Sequence, residues 1–210
     1  MNANKPYQLG LTGGIASGKT EVAKRLSEMG ATIIDADEIS RSLTAKDGIL
    51  LPQIRERFGD AVFHEDGSLN RKALGNVVFA DEWERRALEG IIHPAVQSET
   101  FKKIAEAREQ NAEVCVLVVP LLYETAMDAM CEEVWVTSVD SEEQLRRLMM
   151  RDNLTAEQAK ARMRSQLPEG ERERLADLVI KTNRPIDQTG KEVKRLYEAL
   201  LKRLAERNKQ

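Results

Sequence analysis

Eight consecutive residues, Gly13-Gly14-Ile15-Ala16-Ser17-Gly18-Lys19-Thr20, follow the spacing GxxxxGK[ST]. Each residue type has a task in that pattern. The glycines let the backbone wrap closely and aim successive N–H groups inward as an anion nest. A helix starting at Lys19 adds the partial positive charge of its N-terminus. Lys19 is placed to reach the β- and γ-phosphates of a nucleotide, and the Thr20 hydroxyl to ligate Mg2+. Glu21 follows on the first helical turn. The bare pattern arises by chance in about one protein in a hundred of this length, so its context decides. YQLGLT before it reads as a strand and KTEVAKRLSEM after it as a helix.

Further candidates lie outside the loop, each with a plainer alternative. Asp35 follows the second predicted strand, at the sheet edge where open α/β folds bind ligands. There it can take the proton of an attacking hydroxyl or hold a magnesium-bound water. It can equally cap a helix, with Glu38 at capping-box spacing. No acidic residue ends the third predicted strand, which runs into Pro120. Asp37 and Arg41 follow on the next turns, and Arg41 can meet an acceptor phosphate or be a solvated helix charge. Arg147 and Arg151, four apart, share one helix face and can meet the triphosphate. Glu143 stands four residues before Arg147, so a weak surface ion pair is the alternative. His93-Pro94 reads as a helix start with proline at N1; His93 is either near the acceptor or packed. Leu121 and Leu122 either wall an acceptor pocket or fill the core. Asn183 can read the adenine edge with its amide or shape the turn before Arg184-Pro185.

Five strands would position these residues: Tyr7–Thr12, Ala31–Ile34, Val114–Val119, Val134–Val139 and Leu178–Thr182. The third is almost wholly apolar, as a strand covered on both faces should be. A helix over Lys19–Met29 should stop at Gly30, a good C′ residue. Asp187–Arg207 reads as a long amphipathic helix with Val193, Tyr197, Leu200 and Leu204 on one face. Strand–helix alternation argues for a parallel α/β sheet. Two helical stretches interrupt it. Residues about 45–112 hold several short helices and no clear strand. Residues about 141–176 are helical and crowded with arginine, a composition expected to pack weakly and able to move as a lid.

Composition narrows the function classes. With 210 residues, 32 Lys+Arg against 35 Asp+Glu and a net charge of −3, the chain has no basic excess for nucleic acid. The run Val114–Tyr123 is too short for a bilayer span and is broken by Pro120. MNANKPYQLGLTGG has no long apolar core and no leader cleavage site. Two cysteines and two histidines give no zinc pattern. A cytoplasmic protein is expected, with no nucleic acid or membrane partner and a monomer as the default. A GTPase-type guanine reader late in the chain and an ABC-type signature are both missing. Small size, a helical insert and an arginine-rich segment suit a small-molecule kinase.

The stretches LTGGIASGKT (11–20), IDADEISR (34–41), DGSLNRKAL (66–74), LEGIIHPAV (88–96), VPLLYE (119–124), RRLMMRDNLT (146–155), SQLP (165–168) and ADLVIKTN (176–183) make the sequence resemble the bacterial dephospho-CoA kinases from residue 7 to about 205. The resemblance implies a three-layer P-loop kinase fold in one domain over 1–210. It implies a five-stranded parallel sheet of order 2-3-1-4-5, with an acceptor-binding insert and a lid. It implies ATP with Mg2+, and transfer of the γ-phosphoryl to the ribose 3′-hydroxyl of dephospho-CoA. The departure is Ala16, where the family usually has glycine; an alanine at φ < 0 is expected there at little cost.

Overall fold

A computed structural model describes residues 5–207. Five strands, β1 (Tyr7–Gly13), β2 (Thr32–Asp35), β3 (Val114–Val118), β4 (Glu133–Ser138) and β5 (Leu178–Lys181), form one parallel sheet of order β2-β3-β1-β4-β5. Each strand lies within a residue of its expected bounds. β3 and β4 are buried along their whole length, so the middle of the sheet is covered on both faces, as parallel sheets require. Strand β4 begins one residue early, at Glu133, a buried carboxylate. It is held there by Trp135 Nε1 at 2.6 Å, Arg203 at 2.8 Å and the Tyr7 hydroxyl at 3.1 Å. Those three donors hold the Glu133 pKa down against the burial that raises it.

Between β1 and β2 runs α1 (Lys19–Glu28). It ends as its sequence predicts. Gly30 takes φ 94°, its N–H donates to the Ser27 carbonyl, and the Ala31 N–H donates to Leu26, the paired bonds of a Schellman stop. The C-terminal helix α9 (Ile186–Arg207) lays Val193, Tyr197, Leu200 and Leu204 into one cluster with Val22 and Leu26 of α1 and Leu9, Leu11, Val116, Trp135 and Ile180 of the sheet. Between β4 and β5 run α6 (Ser141–Asp152), α7 (Ala156–Arg164) and α8 (Glu169–Leu175).

Residues 1–34 with 106–210 make one compact unit and residues 35–105 another. The second holds α2 (Ala36–Leu43), α3 (Leu51–Phe58), α4 (Arg71–Ala80) and most of α5 (Glu82–Glu109). Its buried side chains include Ile39, Leu43, Ile54, Val62 and Leu74. One expectation is corrected here. His93-Pro94 starts no helix: Pro94 lies inside α5, which is 28 residues long. A mid-helix proline withholds one N–H and crowds the carbonyl four residues earlier. Here that residue is Gly90, and both Gly90 and Pro94 are exposed. Water can therefore serve the orphaned carbonyl, and buried Val96, Thr100 and Ile104 carry the helix onward.

Candidate functional site

Strand β1 delivers the chain into the glycine-rich loop, and α1 opens at Lys19. Its N-cap, Gly18, lies at φ 88°, ψ 11° and supplies no side-chain cap. The first N–H groups of α1 are thus not consumed by a capping side chain, which suits an anion at this terminus. Gly13 and Gly14 are required by space. A Cβ on Gly13 would collide with Thr137 and Ser17, and one on Gly14 would lie 2.5 Å from Gln144 Nε2 and 3.0 Å from an Arg172 guanidinium nitrogen. Ala16 corrects the sequence expectation. It lies at φ 59°, in the left-handed region, where an L side chain costs about 1 kcal/mol.

Hydroxyls fasten the loop to the sheet. Ser17 Oγ meets Thr137 Oγ1 of β4 at 2.6 Å, and Thr137 Oγ1 donates to the Thr12 carbonyl of β1 at 3.3 Å. Thr182, just past β5, donates to the Ser17 carbonyl at 2.8 Å. Lys19 Nζ donates to the Gly13 carbonyl at 3.1 Å, drawn across the loop. Thr20 is exposed on the first turn of α1, and Glu21 pairs with Arg25 at 3.3 Å.

The segment α6–α8 reaches the same loop. Gln144 Nε2 donates to the Ile15 carbonyl at 2.8 Å, and the Ile15 N–H donates to Gln166 Oε1 at 2.7 Å. Arg147 does two things at once. Its Nε donates to Glu143 at 2.8 Å, and its terminal nitrogens donate to the Thr182 carbonyl at 2.8 Å and hydroxyl at 3.3 Å. Bonds from Arg146 and Arg147 hold the Glu143 carboxyl down at about 2. Arg151 instead pairs with Asp152 at 2.8 Å on the surface. Arg172 is buried, bonded to Glu169 at 2.6 Å and to the Leu167 carbonyl. Asn183 donates its amide to Asp140 at 2.9 Å.

Asp35 ends β2 and caps α2. Its Oδ1 accepts from the N–H groups of Asp37 at 2.8 Å and Glu38 at 3.2 Å. Both bonds use one oxygen of the two. Asp37 and Arg41 are exposed, and His93 is half-buried on α5. Beyond β3, Leu121 is exposed, whereas Leu122 is fully buried and packs over Gly10.

The structure thus ties Ser17 to Thr137 and Thr182, Arg147 to Thr182, and Ile15 to Gln144 and Gln166, four partners the sequence reading did not single out, while Asn183 bonds to Asp140. Two signals were available: Gln166 lies within SQLP and Thr182 within ADLVIKTN, both stretches behind the resemblance. The donor set suits a triphosphate, combining backbone N–H groups, a helix N-terminus without a side-chain cap and a lysine, with no carboxylate among residues 13–20.

The dephospho-CoA kinase family model matches residues 7–188. A dephospho-CoA kinase of Symbiobacterium thermophilum is 44% identical over 191 residues, covering 91% of this chain and 80% of that one. Among solved structures, a Thermus thermophilus protein superposes with a TM-score of 0.80 at 30% identity, covering 95% of this chain and 98% of its own. Dephospho-CoA kinase from Campylobacter jejuni, at 24% identity and a TM-score of 0.63 over 93% and 97% of the two chains, has the same fold. With loop, sheet order and sequence in agreement along most of its length, the chain belongs to the dephospho-CoA kinase family.

Proposed function

We propose that this chain transfers the γ-phosphoryl group of MgATP to the ribose 3′-hydroxyl of dephospho-CoA, the last step of coenzyme A synthesis. The hydroxyl oxygen bonds to the γ-phosphorus as the bond to the β–γ bridging oxygen breaks. ADP leaves and the hydroxyl proton is lost. The observation that carries the donor half is the loop over residues 13–20, with left-handed Ala16 and Gly18 and the uncapped start of α1. Family membership carries the acceptor half.

The residues divide the work as follows. The N–H groups of Gly13, Gly14, Ile15, Ala16, Ser17 and Gly18 form the cradle for the phosphates, and Glu21 borders it. Lys19 leaves the Gly13 carbonyl to neutralise charge on the β- and γ-phosphates. The Thr20 hydroxyl would hold Mg2+, which would supply charge neutralisation to the transferring phosphoryl group. Arg147, bonded here to Glu143 and Thr182, turns from them to meet the triphosphate, and Asn183 reads the adenine edge. Asp35 accepts the proton of the attacking hydroxyl or orders a magnesium-bound water. Asp37, Arg41, His93, Leu121 and Leu122 serve the acceptor. Residues 141–176 close over the donor and exclude water. The setting is cytoplasmic and the working unit a monomer.

The test is a comparison of kcat/KM under MgATP for dephospho-CoA, adenosine, AMP and shikimate. Dephospho-CoA is expected to lead by at least about a hundredfold, since a site built to bond a particular acceptor rejects analogues that leave its polar groups unpaired. Preference for AMP or shikimate would overturn the assignment.

A further inference from the structure

Ile15 is gripped on both of its peptide planes, through its N–H by Gln166 and through its carbonyl by Gln144. Gln144 rises from α6 and is almost fully buried. Gln166 lies in the turn between α7 and α8. The carbonyl of Ile15 and the N–H of Ala16 belong to one rigid peptide plane. Returning Ala16 from φ 59° to a relaxed negative φ means rotating a plane on one side of its Cα. Rotation of the Ile15–Ala16 plane would pull the carbonyl off Gln144. The Gln144 amide also sits close against Gly14, where a Cβ would come within 2.5 Å of its nitrogen, so it packs on the loop as well as bonding to it.

A glycine at position 16 would adopt this conformation without help. Alanine does not, so a restraint on the neighbouring plane has a task in this chain that it would lack beside a glycine. We infer that Gln144 and Gln166 are positioning residues for the phosphate loop. Gln144 holds the Ile15–Ala16 peptide, and Gln166 the Gly14–Ile15 peptide before it, against the relaxation that Ala16 favours, and together they set the affinity of the loop for MgATP. This rests on the reading of the loop as the MgATP site.

The test compares the intact chain with Q144M, Q166M, A16G and the double variant A16G/Q144M. Methionine keeps the side-chain volume and removes the hydrogen-bonding amide. Q144M is expected to raise KM for MgATP about tenfold, equivalent to about 1.4 kcal/mol, and KM for dephospho-CoA by no more than about twofold. Q166M should act in the same direction. In the A16G background the Q144M effect should shrink to about threefold or less, because neighbouring changes that share one restraint do not add. Hydrogen exchange of residues 13–18 without nucleotide should speed up in Q144M and not in A16G/Q144M relative to A16G. Equal factors in both backgrounds would overturn the inference. So would both KM values rising together with a lowered Tm, or unchanged exchange in Q144M. If the parent chain shows no MgATP-dependent turnover of dephospho-CoA, the functional reading fails. The exchange comparison, made without substrates, still decides the restraint.

Discussion

At the scale of single residues, Asp35 carries the sharpest choice. It is an N-cap, bonding two backbone N–H groups through Oδ1, and the proposed mechanism also gives it a proton or a magnesium-bound water. Asn caps as well as Asp does, so Asp35→Asn keeps the helix and removes the charge. Phosphoryl transfer is largely dissociative, and the hydroxyl proton leaves late. A general base is still worth ~10²-fold or more, about 2.7 kcal/mol of barrier. Asp35→Asn is therefore expected to lose at least about a hundredfold in kcat at nearly unchanged Tm. Asp35→Ala should lose a further ~1 kcal/mol of stability with the cap. Steady-state rates and thermal melts on the two variants separate the roles. An Asn variant within a few-fold of the parent kcat leaves Asp35 a cap and makes Asp37 the candidate base.

At the scale of elements, α6, α7 and α8 differ in how they are held. α6 buries Gln144 and Leu148, and α8 buries Arg172. Glu173 of α8 also accepts from Ser138 at the end of β4 and from Lys181 at the end of β5. α7 buries only Ala159, and its Arg162 reaches Asp152 through an exposed ion pair at 2.7 Å, a contact of small worth. Arginine density suggested that the whole segment packs weakly; its two flanking helices are instead tied to the sheet and the loop. Closure is therefore expected to be read mainly in α7. A non-hydrolysable ATP analogue at tenfold its Kd should slow α7 hydrogen exchange by about tenfold if α7 orders only in the complex, with little change in α8. Equal α7 exchange with and without the analogue would make it a fixed part of the scaffold.

At the scale of the whole molecule, burial neutralises the weak acids of the core. Desolvation pushes Tyr7, Tyr123 and Tyr197 up to about 12, with the carboxylates Glu133, Asp128 and Glu113 respectively adding to it. The same cause raises Cys115 to about 11 and Cys131 to about 12. A raised pKa in the folded state means that folding favours the neutral form. The contribution is complete below the unfolded values, 9.0 for the thiols and 10.0 for the phenols, and is lost as pH climbs through about 11 and 12. Urea melts should thus show falling stability above about pH 9 from these groups. Native absorbance at 295 nm should show no tyrosinate until about pH 11, and thiol reagents should react at pH 8 only after denaturant is added. A tyrosine titrating near 10 in the folded protein would contradict the burial.

Much of this protein is written locally in its sequence. Short runs rich in apolar and β-branched residues marked the five strands, Gly30 marked the end of α1, and the spacing of residues 13–20 marked the loop, because those signals depend on residues only a few positions apart. What tertiary structure decided depends on distant partners. Gln166 reaches Ile15 across 151 positions, Gln144 across 129, Thr137 reaches Ser17 across 120 and Thr182 across 165. No periodicity announces such pairs, because sheet order brings the ends of β1, β4 and β5 together. The same holds for Ala16, which keeps φ 59° against its own preference, and for Pro94, which stays helical where solvent reaches it. In both places the surroundings overrule the local propensity of one residue, at a cost of only a few kcal/mol or less, and packing elsewhere offsets that cost.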